Sequence, residues 1–249
     1  MRFEEQIAVL SDIHGNSLAL KAVLEDINNR NIDSIVNLGD SLYGPLDPIG
    51  VAEILMDLKI PSICGNEDRF LVLLSDNELE RNPSLSYVLR LIDSKIMKWL
   101  KNLKKVIEYK DIILFHGTLS NDLEYFIEKV DENGVKIKSN SELETQVSSI
   151  NQEVILCGHS HIPRSIYLHN GQHIINPGSV GLPAFADNLP YPHIMETGSP
   201  YSRYCIISRK KEQWWIDHIS VPYDWKKAAS IALANGRVDW AKWLHHGRV

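Results

Sequence analysis

Five times along this 249-residue chain, a short apolar or β-branched run ends in aspartate, histidine or asparagine with glycine close by. Asp12 and His14 follow residues 7–10, Gly39 and Asp40 follow 34–38, and Gly65 and Asn66 follow 62–64. His116 and Gly117 follow 112–115, and Gly158, His159, Ser160 and His161 follow 154–157. Carboxylate oxygen, amide oxygen and neutral imidazole together suit Mn²⁺, Fe or Zn²⁺, and the lack of cysteine at these positions argues against a structural zinc site. Taken singly, each block has a plainer reading: Asp12 caps a turn, Gly39 and Asp40 make one, and His116 is a satisfied core histidine. Repetition at one run end after another is what those readings leave unexplained. The glycine-flanked pair His159 and His161 has the least structural use of all.

Such residues converge only if the runs are neighbouring strands, because α/β sheets build sites beyond their strand ends. The surrounding pattern meets that condition. Leu18, Ala19, Ala22, Val23 and Ile27 lie on one helical stripe that Asn16 or Ser17 is placed to cap. Pro48 opens a second helix holding Val51, Ile54, Leu55 and Leu58, which Pro61 breaks. Strand and helix alternate in this way through the first hundred or so residues, the sequence form of βαβ units. Apolar spacing over 83–103 predicts one long helix, and 120–150 reads as helical pieces over one rim. Residues 164–168 and 172–175 flank Asn170 and Gly171 as a hairpin would, and 203–208 and 214–221 read as paired strands. Two helices, 225–234 and 238–245, close the chain, while 183–200, with four prolines, reads as an irregular binding loop.

In their order and placement, the five blocks resemble the signature blocks of the calcineurin-like metallophosphoesterases, across residues 7–180. The resemblance implies an α/β fold: a four-layer α-β-β-α sandwich with two mixed β-sheets flanked by helices, here as a single domain over residues 1–249. It also implies two divalent metal ions, Mn²⁺ foremost, with Fe, Zn²⁺, Ni²⁺ or Mg²⁺ as alternatives. Asp12, His14 and His161 would hold one ion, Asn66, His116 and His159 the other, and Asp40 would bridge them. Asp40, Asn66 and His116 would form the catalytic heart, and a hydroxide shared by ions ~3.5–4 Å apart would attack phosphorus. Two dications, less Asp12, Asp40 and that hydroxide, leave a local charge of about +1, so an acidic protein still attracts phosphate.

This chain departs from the family at Glu67, where many members have histidine. Without a poised acid, loss of a poor alkoxide slows, whereas an anhydride or aryl leaving group needs less protonation. An ionised Glu67 would also repel a dianionic monoester more than a monoanionic diester. The expected activity is therefore hydrolysis of phosphodiester or nucleotide phosphoanhydride bonds, as in small relatives that act as phosphodiesterases or asymmetric diadenosine tetraphosphate hydrolases. A monoesterase or protein phosphatase, and a non-catalytic scaffold, stay open as alternatives. Asn16, Asn66, Glu67, Arg69 and Tyr43 are the expected substrate-binding residues, with Arg164, Arg203, Tyr191 and His193 as further candidates.

Composition bounds the rest. With 44% hydrophobic and 23% charged residues the chain is globular, and a net charge of −6 supplies no broad attraction to nucleic acid or anionic membrane. No run approaches the ~18 apolar residues of a membrane span, so the expected partner is a small phosphorylated substrate. Cys64, Cys157 and Cys205 are far apart and read as buried thiols of a reducing compartment, the cytoplasm. Oligomeric state leaves no mark in the sequence.

Overall fold

Alternation of side chains along the strands divides the molecule into layers. On β1 (Gln6–Leu10), Ile7 and Val9 face one way and Ala8 and Leu10 the other. In the computed structural model, which describes residues 6–73 and 82–249, β1 pairs parallel with β2 (Ser34–Asn37) and antiparallel with β12 (Ser202–Lys210). Strand β13 (Gln213–Val221) completes a four-stranded sheet of order β13-β12-β1-β2. A five-stranded sheet joins β3 (Val106–Glu108), β4 (Ile112–Phe115), β7 (Val154–Leu156), β9 (His173–Asn176) and β8 (Arg164–Tyr167), in that order. Its three inner strands are parallel and its two outer ones antiparallel.

Ile7, Val9, Val36 and Ile207 of the first sheet meet Leu114, Val154, Leu156 and Ile175 of the second in a buried layer. The outer face of the first sheet, with Ala8, Leu10 and Tyr204, packs under α1 (Ser17–Asn29) and α2 (Pro48–Asp57). The outer face of the second, with Ile113, Phe115 and Ile174, packs on Phe126 and on Leu143 of α6 (Asn140–Gln146). Two mixed sheets flanked by helices are thus present as expected. Residues 62–64, read as a third strand, form only isolated parallel bridges, Asn37 to Ser62 and Ile63 to Lys104, before α3 (Asn66–Leu73) begins.

Three expectations are corrected. The single helix over 83–103 is two, α4 (Pro83–Leu91) and α5 (Ser94–Lys101). Asp93 causes the break, because its carboxylate accepts from the Ile96 N–H at 2.8 Å as an N-cap while Ile92 turns extended. In 120–150, a hairpin of β5 (Glu128–Asp131) and β6 (Gly134–Ile137) precedes α6, which a Ser139–Glu142 capping box starts. Residues 183–200 hold a hairpin of β10 (Ala184–Asp187) and β11 (His193–Glu196). Pro183, Pro190, Pro192 and Pro200 all fall outside its paired residues, so none costs a ladder hydrogen bond.

The chain closes with α7 (Trp225–Ala234) and α8 (Val238–His246), which bury Ala228, Trp240 and Leu244 with Leu46 and Leu182. Among the described residues no helix is long and apolar enough to cross a membrane. The three cysteines are free thiols, Cys157 and Cys205 buried and Cys64 half-buried. Asp93→Ala should lower stability by about 1 kcal/mol, seen as a shifted urea midpoint at unchanged slope.

Candidate metal centre

The residues following β1, β2, β4 and β7 meet at one end of the two sheets. Backbone bonds staple the turns together: Asp12 N–H donates to Gly39 O at 3.0 Å, His14 N–H to Asp40 O at 2.9 Å, and Gly158 N–H to His116 O at 2.8 Å. The glycines permit this closeness. Gly39 holds φ +95°, and a Cβ on Gly65 would collide with the Asp40 carboxylate and backbone nitrogen. Asp12, His14, Asp40, His159 and His161 themselves have positive φ (53°, 52°, 52°, 69° and 60°), a backbone state costing about 1–3 kcal/mol each outside glycine. Such strain persists only where the surroundings hold it, and it gathers at functional sites.

Two groups of side chains result, Asp12 with His14 and His161, and Asp40 with His116 and His159, each with ligand-type atoms within 4.8 Å of one another. In the first group, His14 Nδ1 lies 3.0 Å from the Tyr43 carbonyl and His161 Nδ1 lies 2.8 Å from the Leu182 carbonyl. A carbonyl only accepts, so both protons sit on Nδ1. The two Nε2 atoms then face each other at 3.1 Å as lone pairs. Asp12 Oδ1 lies 3.3 Å from His161 Nε2, buried and without a hydrogen-bond partner, while Oδ2 accepts from Ser11 Oγ at 2.5 Å and His159 N–H at 3.2 Å. A divalent cation fits this donor set, since it satisfies three acceptors that no proton separates.

The second group is built alike. His116 Nδ1 donates to the Leu38 carbonyl at 2.7 Å, and Nε2 faces Asn66 Oδ1 at 3.0 Å and Asp40 Oδ2 at 3.2 Å, so two acceptors crowd one nitrogen. Asp40 Oδ1 accepts from the Glu67 N–H at 2.9 Å. Without a cation a proton takes its place: burial alone would lower the His116 pKa, and Asp40 overrides it, raising it to about 10. Burial depresses His14 and His159 to about 4, aided by His161 in the one case and His116 in the other. Burial works to raise Asp12, but His161, His116 and His14 outweigh it and hold the carboxyl well below the usual range.

The structure brings all seven expected ligands to this end of the molecule, with Asn66 Oδ1 reaching the second group through His116. The expected substrate contacts fare differently. Asn16 is the N-cap of α1, its Oδ1 accepting from Ala19 N–H and its amide donating to Gly181 O and Tyr223 Oη. The Arg69 guanidinium lies bidentate on Asp122 at 2.6 and 2.7 Å, Arg164 on Glu128 at 2.6 Å, and Arg203 turns to Ser199 and Tyr201. Tyr43 is half-buried, its ring edge-on to His14 and Trp240, each at 6.0 Å. Glu67 stands beside Asp40 with its carboxyl raised well above the ordinary range by burial, Asp40 and Asp68.

Sequence reasoning passed over three residues that shape the site. Asp68 accepts from Ser41 N–H at 3.0 Å and Gly65 N–H at 3.2 Å, joining the Asp40 and Asn66 turns; its place two residues after Asn66, in the first turn of a helix, was the available signal. Tyr125 lies 4.8 Å from the His159 ring and Trp240 lies 5.7 Å from that of His14, contacts that no local pattern announces.

A two-sheet sandwich with paired cation-seeking groups at its strand ends defines a metallophosphoesterase arrangement. The family model described as the calcineurin-like phosphoesterase superfamily domain matches residues 6–197, and the chain belongs to that superfamily, whose members are phosphoester hydrolases using divalent metal ions. It is 30% identical to the uncharacterized protein MJ0912 of Methanocaldococcus jannaschii, over 95% of this chain and 96% of that one. The fold is similar to that of a metallophosphoesterase from Sphaerobacter thermophilus, with TM-score 0.76, 22% identity, and 98% and 99% of the two chains covered. It is equally similar to the hypothetical protein PH1004 from Pyrococcus horikoshii OT3, with TM-score 0.76, 20% identity, and 97% and 98% covered.

Two outcomes follow for cation uptake. His116 carries a proton at neutral pH that a cation must displace, so Mn²⁺ uptake at pH 7 should release at least one proton per chain, read by calorimetry in buffers of different ionisation enthalpy. Gly65→Ala, which pushes on Asp40, should weaken Mn²⁺ binding at least about tenfold in equilibrium dialysis.

Proposed function

We propose that this protein is a dinuclear metal-dependent phosphoesterase that hydrolyses phosphodiester or nucleotide phosphoanhydride bonds. One observation carries the reading: Asp12 Oδ1, buried and unpartnered, lies 3.9 Å from Nε2 of His14 in one group and 3.9 Å from Nε2 of His116 in the other. The two groups are close enough to work on one phosphoryl group. Asp12, His14 and His161 would hold one ion, and Asn66, His116 and His159 the other. Asp40 would be shared, since its charge bears on His14 as well as on His116. When bound, such ions neutralise phosphoryl charge and make water a stronger nucleophile.

The protein's own part is to aim and to hold. Each imidazole Nδ1 tied to a carbonyl leaves its Nε2 pointed at the centre, and each carboxylate oxygen tied to an N–H or hydroxyl leaves its partner oxygen turned the same way. During hydrolysis, the oxygen of water bonds to phosphorus as the bond to the leaving oxygen breaks. The leaving oxygen takes up one proton. Glu67 in place of histidine supports diesters and anhydrides over dianionic monoesters, because the residue after Asn66 brings a carboxyl rather than an imidazolium.

Metal-free protein reloaded with Mn²⁺ should carry two ions per chain by elemental analysis and cleave bis(p-nitrophenyl) phosphate in preference to p-nitrophenyl phosphate. Asp40→Ala and His159→Ala should each lose bound metal and at least about a hundredfold in kcat. Turnover of the monoester alone, or a protein that neither binds Mn²⁺ nor cleaves any of these compounds, would overturn the reading.

A further inference from the structure

The closing helices lie beyond the matched family region, which ends at residue 197, yet they reach one of the two cation groups. The buried Trp240 ring of α8 packs edge-on against His14, with ring centres 5.7 Å apart. The loop after Asp40 runs beside both. Gly44 in that loop holds φ +145°, and a Cβ there would come within 2.7 Å of the His14 carbonyl oxygen and of the Trp240 ring alike, so the backbone is pressed between the two.

That loop also holds the His14 proton. The Tyr43 carbonyl accepts from His14 Nδ1 at 3.0 Å, the Pro45 carbonyl from the side-chain amide of Asn235 at 2.8 Å, and the Leu46 carbonyl from the Tyr87 hydroxyl at 2.8 Å. Asn235 stands at the end of α7. Leu46 and Leu182 are buried with Ala228, Trp240 and Leu244, and Tyr43 and Phe185 pack on the same cluster. Leu182 supplies the carbonyl 2.8 Å from His161 Nδ1, and Phe185 lies edge-on to the His161 ring at 4.6 Å. Both histidines of the first group are therefore backed by residues seated on the closing helices.

The second group is backed from another quarter. His116 Nδ1 meets the Leu38 carbonyl at 2.7 Å, and Leu38 belongs to the layer between the sheets. The His159 ring lies 4.8 Å from that of Tyr125 and 5.1 Å from that of His116. Loosening α8 should therefore disturb one group and spare the other.

A hydrogen bond at Nδ1 fixes which nitrogen carries the proton but leaves the imidazole able to tilt about that bond. A rigid indole against the ring removes the freedom. Resting on the dinuclear reading above, we propose that Trp240 and Asn235 are positioning residues for the ion at Asp12, His14 and His161. Asn235 holds the loop whose carbonyl meets Nδ1, Trp240 holds the ring, and together they aim Nε2 at the ion. The ion at Asn66, His116 and His159 is held without them.

The test titrates the metal-free, full-length protein with Mn²⁺, followed by equilibrium dialysis and electron paramagnetic resonance. The wild type should take two ions and give the spin-coupled signal of a close pair. Trp240→Leu should weaken one of the two at least about tenfold, so that the uncoupled signal of an isolated ion appears, and Trp240→Phe, which keeps a ring beside His14, should restore most of the coupling. Leu244→Ala loosens the same helix and the same buried cluster, and should keep both ions. Asn235 is exposed, so Asn235→Ala carries the test if Trp240→Leu fails to fold; it should weaken the same single ion by about threefold. Two ions held at wild-type strength in Trp240→Leu or in Asn235→Ala, or loss of one ion in Leu244→Ala as well, would overturn this inference and leave the dinuclear reading intact. A wild type that never shows a pair of ions would sink both.

Discussion

Lone pair faces lone pair at the centre of this molecule. His14 and His161 commit their protons to carbonyls behind them and turn bare Nε2 atoms toward each other, with an unpartnered oxygen of Asp12 beside them. Acceptors buried without donors cost about 1–3 kcal/mol apiece, and the five left-handed backbones that aim these side chains add a similar cost each. A fold that keeps so unfavourable a centre needs a rigid frame, and here the frame is the buried layer between the sheets, which holds the ends of β1, β2, β4 and β7 in register. Protons compensate in part when no cation is present, as the charged state of His116 beside Asp40 illustrates.

The frame extends beyond the strands. Ser179 Oγ and Gly181 N–H both donate to the Asp12 carbonyl, at 2.8 and 3.0 Å, so the segment after β9 grips the turn after β1. Asp68 ties the Asp40 turn to the Asn66 turn, and the Arg69–Asp122 ion pair then ties α3 to the loop after β4. Trp240, from a closing helix beyond the matched family region, packs edge-on against the His14 ring. Most candidate ligands are thus held from behind by residues far away in sequence, which turns side chains on five separate segments into one constellation.

That distinction marks what could be read from the chain. The candidate ligands were legible because each follows a strand-like run, so residue type and local period sufficed to single out Asp12, Asp40, His116 and His159. The sheets and the closing helices were legible for the same reason. The break at Asp93 was not, because continuous apolar spacing masks a cap whose strength lies in one side-chain hydrogen bond. Nor was the β10–β11 hairpin, since its prolines look disruptive until their places outside the ladder are known. Asn16, Arg69 and Tyr43 are of types suited to binding phosphate or a base, but their partners (Tyr223, Asp122 and Trp240) lie 207, 53 and 197 positions away, and long-range partners leave no local pattern.

Charge unites these points. The protein carries a net −6, and the arginines its cleft might have offered an anion are bound to Asp122, Glu128, Asp239 and backbone oxygens. What remains toward the centre is carboxylate and imidazole. With the described arginines so engaged, attraction for phosphate falls to cations gathered by those same groups. Acidic residues that would repel substrate in a bare protein become, once cations bind, the means of limiting how much positive charge is exposed. Affinity for phosphate and affinity for metal are in this way one property of the site rather than two.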